Sequence, residues 1–498
     1  MSPSVEPFNE AKYKALMDGL DVSEISISKV REENPYFRID SNFFGKRIIK
    51  ALSLVKEHNC IYFSPKSVVN GPFGSTITSD LHRDNGFMPL VRSLNINSGF
   101  FINKTNLIYI SKEDNEKIKH SQLSKDDIVL SRVGSIGFFA RIDDDLGVCN
   151  ISSNNIGIKL DGYTESEKHY IITYLNTALA KALTNRRVSG NVQPKLTVSE
   201  ICCIPVPTFN ELFYKAISGL ILSAEQARKD SSNSYEAAAA TLLSTLGMPD
   251  FTSSQQAVSV KNFSDSFMKT GRLDSEYYQP KYDAYFASLQ QFKTTSIPDE
   301  FDVLKNSGTN YAEGISDVGV IKTKQLSSSG VNTDGVESYF TNEVCAQNKS
   351  TFIANNDVLF ASMGVGSLGK AGLFSYDGNK PFITDSTLRI YRAKETSCIL
   401  PEVLCIFLQS AIGQELIYRY VVGSTGIINI YDDDIAKIPI PVLDTEVQRD
   451  IAAKVQESFA LRHKSEKLLE YAKRAVEIAI EQDEGTAINW LKEKGVEC

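Results

Sequence analysis

No apolar run in this 498-residue sequence reaches the roughly 20 residues that a membrane-spanning helix needs. The eight cysteines show no Cys-x-x-Cys spacing, which favours a reducing compartment over a disulfide-rich secreted fold. The five histidines are scattered, without a cysteine partner at metal-ligand spacing, so the sequence predicts no metal site. Residues 1–6 lack the basic and apolar stretches of a secretion signal. We therefore expect a cytoplasmic protein that holds no metal and contacts no membrane.

Excess positive charge is also missing. The sequence has 53 Lys and Arg residues against 61 Asp and Glu residues, a net charge of −8, which argues against nonspecific binding of polyanions. Nucleic acid is not excluded, because its binding depends on the local field of a cleft, where basic groups can share one face. The hydrophobic content of 42% and the charged content of 23% are typical of a globular protein.

What the sequence does contain is an internal repeat. Residues Leu90–Gly134 align with Val320–Gly364 without a gap, at a constant shift of 230 positions. The shift has grown to 234 where each copy closes, at Ile201–Pro207 and Ile435–Pro441. A chain of this length holds roughly two to four domains, and the repeat favours two large units with connectors.

The opening of each copy repeats as well. Arg38–Phe44 aligns with Arg272–Tyr278, again at a shift of 234. Two copies of one domain on a single chain suggest a target with two comparable halves.

Each copy is predicted to have a β-rich body. Short β-branched or aromatic runs separated by polar turns indicate strands. These runs are Leu107–Ile110, Ile128–Leu130, Phe138–Ile142 and Ile156–Lys159 in the first copy, and Val358–Phe360, Gly372–Phe374 and Leu388–Ile390 in the second. One helical segment is predicted inside each body, at Glu167–Leu183 and Pro401–Ile417. Each copy closes on Ile-x-x-Ile-Pro-x-Pro, whose prolines end a strand.

A long helix is predicted after each body, over residues 210–246 and 445–482, because apolar residues recur there in steps of three and four. The narrow, alanine-containing stripe suits two helices packed side by side. Alternatively, each helix lies on its own β body. About 30 helical residues span roughly 45 Å. Residues Tyr13–Leu20 resemble the end of the first long helix and are expected to complete the second.

The predicted fold class is α+β, with two pseudo-symmetric β-rich domains joined by two long antiparallel helices. The predicted domain boundaries are 1–36 for an N-terminal helical segment, 37–207 for the first β-rich domain, 208–247 for the central helix, 248–441 for the second β-rich domain and 442–498 for the C-terminal helix.

One motif suggests a nucleotide site. Gly364–Gly369 matches Gly-x-Gly-x-x-Gly, but a dinucleotide site needs a helix after the glycines. Lys370–Phe374 is instead typical of a strand, so we interpret the glycines as a turn between strands. Nuclease, methyltransferase and hydrolase motifs are also missing from the sequence, which favours a binding subunit over an enzyme.

Basic and amide side chains at strand ends and in loops are the candidate contacts for a nucleic acid, which the net charge does not exclude. Arginine is suited to guanine, asparagine and glutamine to adenine, and lysine, arginine and hydroxyl groups to phosphates. The best stretch is Arg186–Lys195, which is basic and rich in amides. The predicted contacts are Ser75, Arg92, Asn95, Arg132, Asn154, Arg186, Arg187, Asn191, Gln193 and Lys195 in the first copy, and Lys322, Lys324, Gln325, Arg419, Ser424, Thr425, Asn429 and Tyr431 in the second.

With these pieces in this order, the sequence resembles the specificity subunit of type I restriction-modification enzymes, over nearly its whole length. The resemblance is carried by Gly71–Ser75, Pro89–Ile96, Asp127–Gly137, Arg272–Pro280 and the closing Ile-Pro-x-Pro before each long helix. It implies that the β-rich domains 37–207 and 248–441 are target recognition domains, each of which recognises one half of a split sequence in double-stranded DNA. It also implies that the helices fix the separation of the halves.

The resemblance also implies partners. Two modification subunits carrying S-adenosylmethionine would methylate adenine, and a restriction subunit driven by ATP with Mg would complete the nuclease. This chain would hold no cofactor and have no catalytic role. The alternative is a protein-protein scaffold that does not read DNA sequence.

The second copy departs from the family pattern in three places. Gly71–Ser75 has no clear counterpart there, Ser362 replaces Arg132, and the loop at Gly364 is two residues longer. Such divergence is expected if the two domains read different half-sites.

Overall fold

The structure is a computed structural model. It describes residues 8–20, 23–32, 34, 37–96, 99–104, 106–133, 136–190, 194–248, 258–307, 312–313, 317–327, 330–333, 336–423 and 428–496.

Helices and strands alternate along both halves of the chain. The helices are α1 Glu10–Met17, α2 Ile27–Glu32, α3 Ser41–Phe44, α4 Lys46–Lys56, α5 Lys112–Lys117, α6 Glu165–Leu175, α7 Ala178–Arg187, α8 Val198–Ile201, α9 Glu211–Thr245, α10 Phe267–Thr270, α11 Pro280–Leu289, α12 Ile297–Glu300, α13 Asn342–Gln347, α14 Pro401–Gln409, α15 Ala411–Arg419, α16 Asp432–Ile435, α17 Thr445–Glu481 and α18 Glu484–Glu493. The strands are β1 Cys60–Ile61, β2 Val68–Asn70, β3 Met88–Val91, β4 Phe100–Phe101, β5 Ile108–Ile110, β6 Ile128–Ser131, β7 Phe139–Arg141, β8 Asn150–Ile151, β9 Asn155–Ile158, β10 Val206–Pro207, β11 Thr294–Thr295, β12 Phe301–Leu304, β13 Ala312–Glu313, β14 Val318–Ile321, β15 Leu326–Ser327, β16 Gly330–Val331, β17 Ser338–Phe340, β18 Val358–Ala361, β19 Ala371–Leu373, β20 Phe382–Thr384, β21 Leu388–Ala393 and β22 Ile440–Pro441.

The chain divides into two compact units. The first comprises Met1–Glu225 and Ser465–Cys498, and the second Gln226–Lys464. The division falls inside both long helices, so each unit contains part of α9 and part of α17.

The first unit is built on two main sheets. Five strands lie in the order β2-β9-β6-β7-β4, antiparallel except for the parallel pair β4 and β7. Three strands lie in the order β5-β3-β8, with β3 antiparallel to β5 and parallel to β8. The short pair β1 and β10 joins the start of the body to its proline-containing end.

The central strand β6 is buried along its whole length, and its residues alternate between two hydrophobic cores. Ile128 and Leu130 point into the large cluster that includes the helices, whereas Val129 belongs to a smaller cluster on the other face. This is the period of two that a strand imposes. A strand buried on both faces reads as a continuous apolar run, as Ile-Val-Leu does here.

The second unit repeats this topology. The order β12-β21-β18-β19 matches β2-β9-β6-β7, and β14 is antiparallel to β17 and parallel to β20, as β3 is to β5 and β8. Strand β18 alternates in the same way, with Val358 and Phe360 in one core and Leu359 and Ala361 in the other. The internal repeat is therefore a repeat of fold, and the α+β class is confirmed.

The helical segment of each body differs from the prediction, because it consists of two helices. In the first unit α6 ends at Leu175, and Thr177 then caps α7 by accepting a hydrogen bond from the amide of Ala180 at 3.2 Å. Ser410 does the same for α15, accepting from Gly413 at 3.1 Å. A hydroxyl that satisfies a free helix amide stabilises a new start, which breaks a continuous helix at that residue.

The two long helices α9 and α17 confirm the predicted segments to within a residue at each end. In the first unit the hydroxyl of Ser465 donates to the carbonyl of Ala224 at 2.7 Å. In the second unit the hydroxyls of Ser231 and Ser458 lie 3.0 Å apart. In the same unit Lys454 of α17 donates to the hydroxyl of Thr241 of α9 at 2.9 Å. Later residues of α9 thus meet earlier residues of α17, so the parts of the two helices within this unit run antiparallel.

The long helices also pack on the β bodies, so both predicted arrangements occur together. Phe213 and Ile217 of α9, with Val476 of α17, belong to the same buried cluster as Ile128 of the first body. Leu242 and Val455 do the same in the second unit.

Helix α1 lies within the N-terminal segment that was predicted to complete the second long helix. It has no buried residue, and its role there stays a prediction, as do the predicted domain boundaries. Among the residues that the structure describes, no helix is both long and apolar enough to cross a membrane.

Candidate nucleic-acid interface

Four loops of the first unit meet at Asn155, the first residue of β9. The amide of Gly71 donates to the carbonyl of Asn155 at 3.0 Å. The hydroxyls of Ser93 and Ser152 donate to its side-chain oxygen at 3.0 Å and 3.1 Å, and the hydroxyl of Ser131 reaches that of Ser93 at 3.1 Å. Asn155 is fully buried, so this residue ties together the loops that leave β2, β3, β6 and β8.

A fifth loop joins the same place. Ser189 and Lys195 exchange two backbone hydrogen bonds, at 3.0 Å and 2.8 Å, and form the base of a hairpin. Lys195 also bridges to Val133, and the amide of Leu196 donates to the carbonyl of Arg132 at 3.0 Å. We call the five segments 71–75, 92–95, 131–133, 152–155 and 188–190 with 194–196 the loop edge of the first unit.

Gly71 is required at this edge. A Cβ atom at this position would lie 1.9 Å from the carbonyl oxygen of Ser152, closer than any side chain tolerates. The first loop can therefore approach the fourth only with glycine at position 71.

Five of the predicted contacts lie on the loop edge with some or all of the side chain open to solvent. Ser75, Asn154 and Lys195 are exposed, and Arg92 and Arg132 are half-buried. Arg92 donates to the carbonyl of Asn106 at 2.7 Å. The Nε atoms of Arg92 and Arg132 are buried without a hydrogen-bond partner in the part of the chain that the structure describes. Together these side chains offer cationic, amide and hydroxyl donors on one edge, which is what DNA recognition needs.

Asn95 is placed differently from the prediction. It is fully buried, its side-chain oxygen accepts from the amide of Arg92 at 3.0 Å, and its Nδ2 donates to the carbonyl of Asn103 at 2.8 Å. Its amide group closes its own loop, and the structure therefore gives no support to its predicted contact with DNA.

Arg186 and Arg187, the leading residues of the best predicted stretch, also face inward. Both are buried. Arg186 donates through Nε to the carbonyl of Phe43 at 3.0 Å and lies 4.1 Å from that ring, and Arg187 lies 3.6 Å from Glu200. Burial, together with Arg187 and Arg38, lowers the pKa of Arg186 to about 10. Arg186 therefore stays charged near neutral pH.

Four predicted contacts, Asn191, Gln193, Ser424 and Thr425, lie outside the described residues.

The second unit forms an equivalent edge. The amide of Ser362 donates to the carbonyl of Thr387 at 3.0 Å, as that of Arg132 donates to Asn154 at 2.8 Å. Val422 and Asn429 exchange two backbone bonds at the base of a hairpin, at 2.8 Å and 2.9 Å. We call 322–325, 361–364, 385–387 and 421–423 with 428–430 the loop edge of the second unit.

Predicted contacts in the second unit divide in the same way. Lys324 is exposed and forms an ion pair with Glu337, and Tyr431 is exposed at the start of α16. Lys322 and Asn429 are half-buried.

Gln325 and Arg419 contribute to the scaffold. Gln325 is buried and accepts from the amide of Lys322 at 3.0 Å. Arg419 is half-buried and lies 4.7 Å from the rings of both Tyr277 and Phe286. All the predicted DNA contacts stay predictions, and exposure favours the members on the loop edges.

A buried ionic network in the first unit escaped the sequence analysis. Arg141 contacts the carboxylates of Asp126 and Glu225. His169 lies 3.6 Å from Asp126 through Nε2 and 2.8 Å from the hydroxyl of Ser218 through Nδ1. The network links the β body to α6 and α9. No local pattern indicates it, because its members lie up to 99 residues apart in sequence.

The charges in this network stabilise the ionised form of Asp126. Burial alone would raise the pKa of this carboxyl, but hydrogen bonds and charge from His169 and Arg141 lower it to about 2. Asp126, Glu165 and His169 have potential metal-ligand atoms within 4.8 Å of one another. Arg141 already occupies the carboxylate of Asp126, so a metal ion would meet a positive charge there.

Comparison with known proteins finds one family model that matches part of the chain. The model of the type I restriction modification DNA specificity domain matches residues 293–470. No curated protein sequence matches the chain.

Three solved structures show weak likeness. A type I restriction-modification S subunit from M. genitalium is 11% identical, with a TM-score of 0.36, over 85% of this chain and 95% of that one. The HsdS subunit from Thermoanaerobacter tengcongensis is 12% identical, with a TM-score of 0.26, over 86% and 96%. A chain from a structure of type I R-M complex assembly and conformational transition is 12% identical, with a TM-score of 0.27, over 83% and 95%. Likeness at this level carries no argument, and the family match agrees with the resemblance drawn from the sequence over residues 293–470.

Proposed function

We propose that this type I restriction-modification specificity subunit, a DNA-recognition chain without a catalytic role, reads double-stranded DNA in two parts, one with each unit. The observation that carries the proposal is the repeated loop edge. The backbone bonds that assemble the edge recur, but Arg132 is replaced by Ser362 and Lys195 by Asn429. Since base contacts depend on side-chain donors and acceptors, two edges with different side chains fit two different half-sites.

Lys195 is the best single candidate for a direct contact. Its side chain is exposed, and its backbone is held by both Ser189 and Val133. Because its backbone is already held, only the side chain of Lys195 has to become ordered when it meets a phosphate.

We propose that the long helices set the gap between the half-sites and dock the partner subunits. Helix α9 has 35 residues, which corresponds to roughly 52 Å at a rise of about 1.5 Å per residue. Expected partners are two adenine methyltransferase subunits with S-adenosylmethionine and a restriction subunit that uses ATP and Mg. The cytoplasmic location remains a prediction from cysteine usage.

The proposal is tested by selecting DNA from a random library. The full chain, purified with its modification subunits, is expected to enrich two short motifs at a fixed separation. A single continuous motif would contradict reading in two parts. Enrichment of no motif, with the complex intact, would favour a scaffold that does not read sequence.

The contact made by Lys195 is tested by its alanine variant. Lys195→Ala should weaken binding and reduce the slope of log affinity against log salt by about 0.9, the value for one lost phosphate contact. Lys168→Ala is the matched control, because Lys168 lies on α6 away from the loop edge. An unchanged slope in Lys195→Ala would contradict the phosphate contact.

A further inference from the structure

The same arginine-aspartate pair stands near the start of the body in both units. Arg38 donates through Nε and Nη2 to the two oxygens of Asp40, at 2.8 Å and 2.9 Å. Arg272 makes the same paired contact with Asp274, at 2.8 Å for both bonds. A two-bond contact of this kind fixes the plane of the guanidinium group.

Each arginine also holds backbone carbonyls at the end of a helix. Arg38 donates through Nη1 to the carbonyls of Arg186 and Val188, at 3.1 Å and 2.7 Å. Arg272 donates to the carbonyls of Tyr420 and Val421, at 3.3 Å and 2.9 Å. These residues follow or end α7 and α15, where carbonyls have no partner within the helix.

An aromatic ring supports each arginine from one side. Arg38 lies 5.2 Å from the ring of Phe43, and Arg272 lies 4.6 Å from the ring of Tyr277. The sequence aligns these two rings at the shift of 234 that also relates the arginines. The whole arrangement of aspartate, arginine, ring and carbonyls therefore recurs, and we call it the clamp.

The carbonyls that the clamp holds come directly before the hairpin of each loop edge. Val188 precedes Ser189, the first residue of the pair Ser189 and Lys195. Val421 precedes Val422, the first residue of the pair Val422 and Asn429. Fixing these carbonyls fixes the position from which each hairpin leaves its helix.

We propose that Arg38 and Arg272 are positioning residues for DNA recognition, each controlling the hairpin of its own unit and hence the reading of one half-site only. The proposal rests on the proposed function. The guanidinium group of Arg38 donates its hydrogen bonds to Asp40 and two backbone carbonyls, so Arg38 acts through the hairpin and does not contact DNA.

The first measurement is the sequence preference of matched variants in the complex with modification subunits. Arg38→Ala is expected to reduce discrimination at one half-site by about 5- to 100-fold, the range for one disturbed base contact. Arg272→Ala should affect only the other half-site.

The conservative variant Arg38→Lys separates geometry from charge. Lysine keeps the positive charge but lacks the planar fork that reaches Asp40 and the carbonyls together, so it should not restore discrimination. Full restoration by lysine would show that charge near the hairpin is sufficient, and would overturn the clamp. Loss at both half-sites in either single variant would also overturn it.

A second measurement needs no DNA. Hydrogen exchange in peptides covering residues 186–196 should accelerate in Arg38→Ala but not in Arg272→Ala, and peptides covering 420–430 should show the reverse. Equal exchange in both variants and the wild type would overturn the clamp even where discrimination falls.

The two proposals can fail separately. If the wild-type chain selects two motifs and Arg38→Ala retains both preferences, the proposed role of the clamp is wrong and the proposed function stands. Wild-type chain that selects no motif would overturn the proposed function, and the role of the clamp in recognition with it.

Discussion

Replacing Arg141 by methionine should destabilise the first unit, because Arg141 contacts the carboxylates of both Asp126 and Glu225. Arg141 is 2% exposed and lies between Asp126 and Glu225. Methionine keeps much of the side-chain volume without charge. The variant leaves the buried carboxylate of Asp126 without its ion-pair partner, so the main cost is electrostatic.

The size of the effect follows from burial and from the pKa of Asp126. Removing one member of a buried pair costs about 3–5 kcal/mol. The fall in the pKa of Asp126 from 3.8 to about 2 corresponds to roughly 2.5 kcal/mol at about 1.4 kcal/mol per unit, shared between Arg141 and His169. The second figure is smaller because it counts only the ionisation of Asp126. Glu225 is partly exposed, so solvent screens its loss. We expect a loss of about 2–4 kcal/mol.

A second substitution tests whether charge causes the loss. Asp126→Asn in the Arg141→Met background removes the stranded charge and should recover about half of the lost stability. Asparagine suits the position, since residue 126 has a φ of 65°, a conformation that asparagine tolerates well. If the double variant is less stable than Arg141→Met alone, packing and not charge governs the network.

The assay uses the single tryptophan of the chain. Trp490 belongs to the first unit, with its ring 5.6 Å from that of Tyr471. Its fluorescence during urea unfolding therefore reports the first unit. Arg392→Met is the control in the second unit, because Arg392 pairs with Asp357 but is about a third exposed, and it should leave the tryptophan transition unchanged. An unchanged urea midpoint in Arg141→Met would refute the reasoning.

The remaining predictions concern pH, two glycines and helix length. The folded-state pKa of Asp126 is lowered from 3.8 to about 2, so the stability that Asp126 contributes is present above pH 3.8 and is lost as the pH falls towards about 2. Acid titration followed by Trp490 fluorescence should show this loss of stability in the wild type and a smaller loss in Arg141→Met. Gly413→Ala should lower the melting temperature measured by circular dichroism, because the new Cβ would lie 2.0 Å from the carbonyl oxygen of Phe407. Gly219→Ala on α9, where the new Cβ would have no neighbouring atom within 4 Å, should instead stabilise the folded protein by about 0.5–1 kcal/mol. Deleting seven residues from each long helix, about two turns, should shorten the recognised gap by roughly three base pairs or abolish recognition, and unchanged spacing in DNA selection would contradict the spacing role.

The repeat and the long helices could be predicted from sequence because their signals are local and periodic. Strand β6 is a continuous apolar run in the sequence, and an apolar stripe follows one face of the 35-residue helix α9. The breaks at Thr177 and Ser410 also have a local signal, a hydroxyl residue suited to capping a helix. The apolar residues on either side continue the helical pattern, which explains why a single segment was predicted.

The candidate site could be predicted only in part, because burial of a charged side chain depends on distant partners. Arg186 and Lys195 look alike in sequence, as basic residues in one polar stretch. Arg186 is buried against Phe43, 143 residues earlier, while Lys195 is exposed. The repeated Arg-x-Asp of the clamp was visible in the alignment, but the carbonyls it holds lie about 150 residues away.

Under the proposed function, the two loop edges explain how one fold recognises two sequences. The bonds that locate the hairpins are made by backbone atoms, such as the amide of Leu196 to the carbonyl of Arg132, and the amide of Ile430 to that of Ser362, at 3.0 Å and 2.9 Å. Backbone bonds do not depend on side-chain identity, so exposed side chains on the edge can change without moving it. The clamp cannot vary in this way, because only a planar fork reaches its aspartate and the carbonyls together. Divergence between the copies should therefore concentrate on the edge residues, as Arg132 against Ser362 shows, while the arginines that position them stay the same.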